Sequence, residues 1–497
     1  MKHLYILGPI YGSINFTFEI DTIITDSKIN DVTVLVCDNC IGRCGYNSFG
    51  LGVLCGECRK RANAVLDTIP GIKLLKTSDF YDNSIKHQTY DYASLKELNK
   101  IEYKGFEIGY GVSSYYISLT RNLTPQISPS FKRLLDKWLE CSMKYADIAD
   151  SVISPEYDMV YIVNGRMFDS KPFQEIAFQK GIHVVLGESS RNMQGNPVRK
   201  DFDNFRVHSV KGNADRILSF WEESALPLEQ RKRVAASFFE KRANAIVTND
   251  KVYTKDQKVG LMPEDWDEKK VNIGIFNSSE DEFAAIGGEW DKNNLFDSQL
   301  DGIRYMLENT TDPNIHFYLR IHPNLMSIKY KYHTNLYELP EKYDNITIIP
   351  GNSPISSYSL MRACDRIVTF GSTMGVEAAY AGKMAMVLLP CLYLHLNVNY
   401  VPQNRSDVLD FIVGKICFKP DTDNILKYSY YYFNDERKGV DNPECEFTYR
   451  LKKRLFNKTI SFNSMDLKCS KLRMKYCVFL QVLGGAVAKL FVPYKEQ

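Results

Sequence analysis

The chain has 497 residues, enough for two or three domains. With 44% hydrophobic and 25% charged residues, its composition is ordinary for a soluble globular protein with a sizeable core. The 62 Lys and Arg residues against 60 Asp and Glu residues leave a formal charge of +2, so charge provides no case for a nucleic-acid partner.

The chain opens on a strand pattern, "KHLYILGPI", without the basic region, apolar stretch and small-residue cleavage site of a secretory signal. The sequence also contains no run of 18 or more apolar residues, the length expected of a transmembrane helix. We therefore expect a cytoplasmic protein whose twelve cysteines are reduced rather than paired in disulfides.

Five of these cysteines fall within one short stretch, "CDNCIGRCGYNSFGLGVLCGEC". Cys37, Cys40, Cys55 and Cys58 form two C-x2-C pairs, and two such pairs suit a tetrahedral zinc ion with thiolate ligands. Cys44 lies between them as an additional thiolate. The pattern predicts a structural zinc site. An iron–sulfur cluster and a group of buried reduced cysteines in a Gly-rich turn are the alternatives.

Apolar runs alternate with helical patterns through the first half of the chain. The apolar runs predict strands at 3–8, 32–38, 72–76, 159–165 and 182–189. Apolar residues at spacings of three and four predict helices at 130–149 and 170–180. Because the strands are almost continuously apolar, we expect a parallel sheet covered on both faces. A polar helical region over roughly 224–255 and a hydrophilic linker follow.

A second α/β series begins at 271. Its predicted strands are "VNIGIF", "IHFYLR", "ITIIPG", "RIVTF" and "MAMVLLP", with helices over 296–308 and 373–381 among the elements between them. Two consecutive doubly wound Rossmann-like domains facing a cleft make up the GT-B architecture, which we predict here. The predicted domains are an acceptor-side domain over 1–260 with a Cys-rich insert at 37–58, a nucleotide-sugar domain over 261–410, and a crossing-back segment with a basic apolar tail over 411–497.

Polar residues follow four strands of the second series. In open α/β sheets the ligand lies beyond the carboxyl ends of the strands, so these residues are the predicted nucleotide site. They are Asn277 and Ser278 after the first strand, Arg320, His322 and Pro323 after the second, Ser353 after the third, and Gly371, Ser372, Thr373 and Glu377 after the fourth.

The stretch "GSTMGVE" predicts a phosphate-binding turn. Gly371 lets the backbone approach an anion, the free amides of the next helix point toward it, and Ser372 and Thr373 add hydroxyl donors. An ordinary helix N-cap is the alternative explanation of the Ser and Thr residues. Glu377, one turn further, is positioned to accept hydrogen bonds from a ribose diol, unless it is a solvated helix carboxylate.

Arg320 and His322 lie two residues apart at a strand end, so both side chains can face the same side. Together they form a cationic pair that suits a phosphate leaving group. We expect them, with the helix amides, to stabilise that group without an essential catalytic metal. Asp-x-Asp triplets occur at 201–203, 265–267 and 421–423, but all three lie in polar, loop-like stretches.

"RIHPN", followed about fifty residues later by "GSTMGVEAAYAGK", resembles the bacterial capsule polysaccharide biosynthesis glycosyltransferases, including Kdo transferases. The His-Pro and Ser/Thr motifs are also similar to those with which bacterial sialyltransferases and polysialyltransferases hold CMP-sugars. The resemblance covers roughly 270–400. It implies that His322 and Pro323 form the His-Pro motif and that Ser372 and Thr373 form the hydroxyl motif.

This resemblance implies a GT-B glycosyltransferase of surface polysaccharide assembly. The donor would be a nucleotide-sugar, with a CMP-sugar such as CMP-Kdo favoured over UDP- and GDP-sugars, and the acceptor a glycan or a lipid-linked oligosaccharide. Two alternatives stay open. One is a nucleotide-sugar epimerase of the UDP-GlcNAc 2-epimerase type, and the other is a sugar-nucleotide-binding protein without catalytic activity.

The first domain should supply the acceptor-side chemistry. Arg166 follows the strand "MVYIVNG" and Glu188 ends the next strand, and a carboxylate beside an arginine stays ionised at neutral pH. Glu188 could then act as a general base or as a nucleophile, or it could simply form an ion pair with Arg166. Glu107 is a second candidate, followed by Glu280 and Asp281.

The tail "KLRMKYCVFLQVLGGAVAKLFVPYK" is both basic and apolar. It is too short and too charged to span a bilayer, but it could lie on an anionic membrane surface. Peripheral contact with the cytoplasmic face of the inner membrane would suit a lipid-linked acceptor. A final helix docked on the core is the alternative.

Overall fold

The structure is a computed structural model. It describes residues 1–8, 14–192, 196–244, 256–292, 294–433, 439–442, 445, 449–455 and 458–464, together with 476, 479 and 483. The chain divides into two compact units. The first contains Met1–Ser190, Pro197–Val207 and the described residues after 438, and the second contains almost all the rest.

The first unit combines strands with helices that connect them. Its strands are β1 (Lys2–Ile6), β2 (Asp31–Val36), β3 (Lys73–Lys76), β4 (Glu102–Tyr103), β5 (Phe106–Glu107), β6 (Met159–Val163), β7 (His183–Arg191) and β8 (Pro197–Asp203). Its helices are α1 (Ile14–Asp26), α2 (Gly52–Leu66), α3 (Leu95–Asn99), α4 (Gly109–Thr120), α5 (Pro129–Val152) and α6 (Lys171–Gln179).

Six of these strands form one sheet, in the order β3-β2-β1-β6-β7-β8. β1 pairs in parallel with β2 on one side and with β6 on the other. The apolar residues of β1 and β2 and the three central residues of β6 are buried on both faces, as expected for a parallel sheet covered by helices. The predicted α/β class and parallel sheet are confirmed for this unit.

The helix α5 shows how local sequence defines an element of this unit. Ser128 accepts a hydrogen bond from the backbone N–H of Phe131 over 3.3 Å, and Pro129 occupies the first helical position. Apolar residues recur at helical spacing after this cap, and Leu135 and Trp138 are completely buried. The predicted helix over 130–149 is therefore confirmed.

The second unit begins with two helices and continues with a second sheet. Its helices are α7 (Val210–Glu223), α8 (Leu228–Ala243), α9 (Glu280–Phe283), α10 (Gln299–Asn309), α11 (Lys331–Thr334), α12 (Ser357–Ala363), α13 (Met374–Tyr380), α14 (Arg405–Ile412) and α15 (Thr422–Phe433). Its strands are β9 (Val271–Phe276), β10 (Ile315–Arg320), β11 (Ile346–Ile349), β12 (Arg366–Thr369) and β13 (Met384–Val387).

These five strands form a parallel sheet in the order β11-β10-β9-β12-β13. The first strand of the series therefore lies in the middle, and the order reverses there, as in doubly wound folds. Ile273 and Ile275 of β9 are fully buried in the core. The prediction of a second doubly wound α/β sheet is confirmed.

The division of the chain differs from the boundaries predicted at 260 and 410. The helices α7 and α8 belong to the second unit, because their apolar faces pack against α13 and α15. Ile217 and Phe238, for example, share a buried cluster with Val376 and Tyr431. The chain then returns to the first unit after α15 rather than at 411.

The returning segment is held on α1. The buried carboxylate of Asp21 accepts hydrogen bonds from the backbone N–H groups of Asp441 and Asn442, over 2.8 to 3.0 Å, and Cys445 is buried in the same core. The antiparallel strands β14 (Tyr449–Leu455) and β15 (Lys458–Ser464) follow. Among the described residues, no helix has the length and apolar character needed to span a bilayer. The predicted membrane-surface tail lies outside the described residues, apart from three positions.

Candidate functional site

Each sheet has a switch point, between β1 and β6 in the first unit and between β9 and β12 in the second. In the second unit Arg320 of β10 and Thr369 of β12 are both in register with Phe276 of β9. The residues that follow these three strands therefore emerge at one edge of the sheet, which we call the second-sheet edge. Such an edge is where doubly wound folds bind ligands.

Asn277 and Ser278 connect the strand ends to each other. The side-chain oxygen of buried Asn277 accepts a hydrogen bond from the backbone N–H of His322 over 2.7 Å. The hydroxyl of Ser278 donates to the carbonyl of Phe370 over 2.7 Å, and its backbone N–H donates to Gln299. Both residues thus hold the second-sheet edge together, and these polar groups are hydrogen-bonded within the protein.

Arg320 is a buried cation, with 3% of its surface exposed. Its guanidinium donates to the carbonyl oxygens of Pro350 and Ser353, over 2.7 and 3.3 Å, and to the hydroxyl of Ser357 over 3.3 Å. All of these acceptors are neutral, and no ion pair of Arg320 with a carboxylate is found in the described part of the chain. Burial lowers the pKa of Arg320 to about 10, so it remains charged at neutral pH.

His322 begins the short turn that contains Pro323. Its Nδ1 accepts a hydrogen bond from the backbone N–H of Asn324 over 3.2 Å, so a neutral ring carries its proton on Nε2. Pro323 occupies the first position of the 3-10 helix Pro323–Ser327, where its lack of an N–H costs nothing. The His-Pro motif therefore presents a histidine with a defined tautomer.

The turn at Gly371 requires glycine. Its φ of 83° is left-handed, and a Cβ there would lie 3.2 Å from the carbonyl oxygen of Pro390. Ser372 accepts a long hydrogen bond from the N–H of Met374 at 3.4 Å, and its carbonyl accepts one from Tyr393 at 2.5 Å. Thr373 is exposed at the start of α13. The N-cap position of α13 is thus Thr373, which makes no side-chain capping hydrogen bond, and Ser372 forms a local turn just before it.

Glu377 has partners within the protein. It is 3% exposed, it accepts a hydrogen bond from the hydroxyl of Tyr358, and it lies 3.2 Å from the guanidinium of Arg242. The alternative of a solvated helix carboxylate is excluded, since the group is buried. Tyr358 and Arg242, rather than a ribose, are the partners of the Glu377 carboxylate in this structure.

A second acid lies at the same edge, just beyond β9. Glu280 accepts a 3.4 Å hydrogen bond from the backbone N–H of Gln299. Burial raises its pKa to about 7, and nearby Asp301 and Asp281 contribute in the same direction. A carboxyl group that titrates near neutral pH can act as a general acid or base, so Glu280 has suitable chemistry for a reaction at this edge.

In the first unit, Asn164 joins the ends of β6 and β7. Its side-chain amide donates to Glu188, and its side-chain oxygen accepts from the N–H of Arg166 over 2.9 Å. The guanidinium of Arg166 donates to Ser114 over 3.1 Å. The direct Arg166–Glu188 ion pair considered from the sequence is therefore replaced by a bridge through Asn164.

Burial raises the pKa of Glu188, while the charges of Lys200 and Arg166 and the hydrogen bond from Asn164 oppose that effect. This corrects the expectation that the neighbouring arginine alone decides the ionisation of Glu188. Asn164 adopts a left-handed φ of 62°, which is uncommon outside glycine and frequent at functional sites. Near Glu188, whose pKa is raised, Asn164 therefore has an uncommon backbone conformation.

Glu107 lies apart from that group. It belongs to the two-residue strand β5, where it is exposed and paired in register with Glu102. The turn of this hairpin is held by Lys104, which donates to Asp150 near the end of α5. We find no contact in the described residues that brings Glu107 to Glu188 or Arg166.

The first sheet also carries a cavity of about 360 Å³ at its switch point, which we call the first-unit cavity. It is surrounded by the ends of β1, β2 and β6 and by residues of α1, α2, α4 and α6. Its lining residues include Leu7, Phe16, Glu19, Tyr46, Ser118 and Phe173. The sequence analysis did not predict this cavity, because its walls come from segments far apart in the chain.

Glu19 is the polar residue of this cavity that the sequence analysis missed. It is fully buried on α1, and both of its carboxyl oxygens accept from the N–H of Gly8, over 3.1 and 3.2 Å. Burial raises its pKa to about 8. An acidic residue inside the apolar pattern "INFTFEIDTII" was the signal available in the sequence.

The cysteines surround the same cavity but do not form the predicted zinc site. Cys37, Cys44, Cys55 and Cys58 line it, while Cys40 contacts Thr77 over 3.3 Å. No group of three or more His, Cys, Asp or Glu residues that could hold a metal ion occurs in the described ranges.

The second C-x2-C pair lies on the helix α2, with Cys55 and Cys58 three residues apart on one helix face. Burial raises the pKa of the Cys44 thiol well above its ordinary value.

Comparison with known proteins gave no matching family model and no matching curated protein. Among solved structures, the KpsC beta-Kdo 2,4 transferase of Thermosulfurimonas dismutans is 12% identical, with a TM-score of 0.36, over 62% of this chain and 85% of that chain. The beta-Kdo 2,7 transferase of the same KpsC is 14% identical, with a TM-score of 0.32, over 65% and 85%.

A UDP-GlcNAc 2-epimerase from Neisseria meningitidis bound to UDP-GlcNAc is also similar, at 12% identity and a TM-score of 0.24, over 87% of this chain and 95% of that chain. TM-scores of this size do not establish a common fold, so the fold of this chain follows from its own two sheets. The chain is an α/β protein with two doubly wound sheets. All five strands of the second sheet are parallel, and so are β3, β2, β1, β6 and β7 of the first.

Proposed function

We propose that this chain is a glycosyltransferase that binds a nucleotide-sugar at the second-sheet edge. The donor is a CMP-sugar such as CMP-Kdo, with UDP- and GDP-sugars as the other candidates. The acceptor is a glycan or a lipid-linked oligosaccharide of surface polysaccharide synthesis, bound by the first unit. The protein works in the cytoplasm, in peripheral contact with the membrane, and without an essential catalytic metal.

The observation that carries this proposal is the buried charge of Arg320. A buried guanidinium whose hydrogen-bond acceptors are all neutral leaves its positive charge uncompensated, which is costly unless an anion approaches. Arg320 is anchored at the end of β10, two residues before His322. A diphosphate or monophosphate at this edge would supply the missing negative charge.

His322 supports the same assignment. With Nδ1 accepting from the N–H of Asn324, the proton of a neutral ring lies on Nε2, and an N–H donor is the chemistry that a phosphate oxygen requires. Gly371 permits close approach of the backbone, and the exposed hydroxyl of Thr373 lies at the start of α13. Together these groups would stabilise the charge that develops on the leaving phosphate when the sugar is transferred.

The first unit supplies the acceptor-side chemistry in this proposal. Glu188, held by Asn164 and with its pKa raised by burial, is the base that would take the proton of an acceptor hydroxyl. Arg166 is a positioning residue, since its backbone N–H holds the side chain of Asn164 and its charge opposes the rise in the pKa of Glu188. Glu107 is retained as a weaker candidate, because it is exposed and lies outside this group.

A second candidate function is a nucleotide-sugar epimerase, and Glu280 is the observation that favours it. Epimerisation needs an acid and a base beside the sugar but no acceptor, and Glu280 titrates near pH 7 at the second-sheet edge. The two functions differ in their product. A transferase releases the free nucleotide when an acceptor is present, whereas an epimerase leaves the nucleotide-sugar intact.

Calorimetric titration with CMP, CDP, UDP and GDP tests the proposed nucleotide site. We expect one of them to bind, and His322→Ala to weaken it by about tenfold or more, as for a lost charge-assisted hydrogen bond. His395→Ala, at an exposed histidine of the same unit, is the matched control. If none of the four nucleotides binds, the site is wrong. If His322→Ala binds like the wild type, the phosphate role of His322 is wrong.

A further inference from the structure

We propose that the first-unit cavity is a binding site for an uncharged, largely apolar molecule with one hydroxyl group, and that this hydroxyl pairs with the carboxyl group of Glu19. The ligand is thus a neutral amphiphile, a different chemical class from the nucleotide-sugar proposed above. The inference does not depend on nucleotide binding, since every residue that lines the cavity belongs to the first unit.

The size and place of the cavity suit a small molecule. Its volume of about 360 Å³ falls in the range of roughly 300 to 1,000 Å³ that is common for ligand pockets. It lies at the carboxyl ends of the central strands of the first sheet, at the switch point where doubly wound folds bind ligands. It is therefore a binding position by topology as well as by volume.

The walls of the cavity are mainly apolar. Aliphatic residues from the strand ends and aromatic residues from the helices make up most of them, among them Ile6, Leu7, Phe16, Val36, Leu119 and Phe173. Several of the polar lining groups have protein partners. Tyr145 donates to the carbonyl of Arg43 over 2.8 Å, and Asn47 donates to the carbonyl of Leu51 over 3.0 Å. Apolar contact would thus dominate the binding of a ligand.

Glu19 is the exception among the polar groups. Its two oxygens accept from a single donor, the N–H of Gly8, and burial raises the pKa of its carboxyl group to about 8, which favours the protonated form. A protonated carboxyl also has an O–H to donate, and we find no acceptor for it among the described residues. An alcohol hydroxyl can accept that bond and donate one in return, which completes the pairing.

The charges around the cavity argue against an ionic ligand. Arg59 is the single basic residue among the described lining groups, and it is exposed, so an anion would have no buried counter-charge. The other acid, Asp169, accepts from the N–H of Gly45 over 2.7 Å. An ammonium ligand would require Glu19 to ionise in an apolar site. A neutral ligand requires neither a buried counter-charge nor the ionisation of Glu19.

The opening of the cavity is apolar as well. Tyr46 lines the cavity and is 42% exposed, so the cavity reaches the surface there. Leu51 and Val53 follow in the same segment and are 42% and 59% exposed. Exposed large apolar residues beside a pocket are typical of a surface that contacts a ligand. A ligand with an apolar tail could therefore extend from the cavity across these residues.

The test uses the full chain and four probes of the same size and shape: 4-phenylbutan-1-ol, butylbenzene, 4-phenylbutylammonium and 4-phenylbutanoate. Binding is measured by calorimetry at pH 7. We expect the alcohol to bind, with butylbenzene and both ionic probes weaker by about tenfold, the cost of one buried hydrogen bond or more. Binding of none of the probes overturns the proposal. Tightest binding by either ionic probe also overturns it.

Three variants locate the binding. Ser118→Trp should block the cavity, because Ser118 lines it yet is exposed on α4, so the larger side chain need not disturb the fold. Ser219→Trp, at an exposed position of the helix α7, is the matched control and should bind the alcohol normally. Undiminished binding of the alcohol to Ser118→Trp would place the molecule elsewhere and overturn the proposal.

Glu19→Met should abolish the preference for the alcohol over butylbenzene, whereas Glu19→Gln, which can still donate and accept, should keep it. A preference that survives in Glu19→Met would remove Glu19 from the site. CMP, CDP, UDP and GDP are titrated into Ser118→Trp in parallel. Nucleotide binding that persists while alcohol binding is lost shows that the two proposals stand or fall separately.

Discussion

The backbone N–H of His322 donates a hydrogen bond to the side-chain oxygen of Asn277 over 2.7 Å. This bond joins the residue after β9 to the loop after β10, across two neighbouring parallel strands. The position of the histidine in the second-sheet edge is therefore set by an amide in another strand end. Asn277 acts through His322 and is a positioning residue in the proposed nucleotide site.

Asn277→Ala should destabilise the protein by about 1 to 3 kcal/mol, since it leaves the N–H of His322 without its acceptor. Urea unfolding measures this change. The affinity for the nucleotide should fall in the same variant, because the imidazole is no longer held in place. Asn309→Ala removes an exposed amide of α10 and should change stability by no more than about 0.5 kcal/mol. Equal losses in the two variants would contradict the positioning role.

The stability of the protein should fall as pH rises through the range from about 5 to about 8. The carboxyl of Glu19 has an ordinary pKa of 4.5 but a pKa of about 8 in the folded chain. In this range the folded chain therefore holds a proton that the unfolded chain releases, which favours unfolding as pH increases. Over this range, ionisation of Glu19 lowers the free energy of unfolding by at most about 5 kcal/mol.

Glu19→Gln should flatten that pH dependence, because its side chain does not titrate. Urea unfolding at pH 5, 6.5 and 8 measures the slope for both proteins. Some slope should persist in the variant, since the pKa values of Asp169 and Glu280 are also raised. Identical slopes for the wild type and Glu19→Gln would mean that Glu19 is not a buried neutral acid.

The two roles of Glu377 can be separated with CMP and 2′-deoxy-CMP. If Glu377 binds the ribose diol, Glu377→Gln should reduce the preference for CMP over the deoxynucleotide. From its contacts with Tyr358 and Arg242 we expect the preference to stay the same and the stability to fall by about 1 to 3 kcal/mol. Calorimetry gives the first quantity and urea unfolding the second.

Glu188→Gln should lower kcat strongly without changing the affinity for the donor nucleotide. A general base contributes about 10²- to 10⁴-fold to the rate, and the amide cannot take a proton. Glu107→Gln is the matched control, since Glu107 is exposed on β5 and should leave kcat within about twofold. A larger loss of kcat in Glu107→Gln than in Glu188→Gln would exchange the two roles.

Purified protein should contain far less than one zinc ion per chain. Among the described residues, no group of three or more His, Cys, Asp or Glu side chains is arranged to hold a metal ion. Elemental analysis measures the metal content. A stoichiometric zinc ion that is lost in Cys58→Ser would restore the zinc site predicted from the two cysteine pairs.

The sequence was a good guide where local pattern dominates. The apolar runs of the β9 to β13 sheet predicted its strands, because buried parallel strands are apolar on both faces. It was a poor guide to the Cys-rich insert, where "GLGVLCGEC" looked like part of a metal knuckle. The structure begins α2 at Gly52, so Cys55 and Cys58 belong to a helix rather than to a turn.

The sequence by itself determined the α/β class, the existence of two parallel sheets and the polar strand ends of the second sheet. These follow from hydrophobic periodicity and from residues that are neighbours in the chain. Only the tertiary structure decided which polar groups are already engaged, as with Glu377 and Tyr358, and where residues distant in sequence meet, as with Gly8, Glu19 and Phe173 around the first-unit cavity. The reason is that burial, which sets both hydrogen-bond partners and pKa values, depends on contacts between segments that no local pattern encodes.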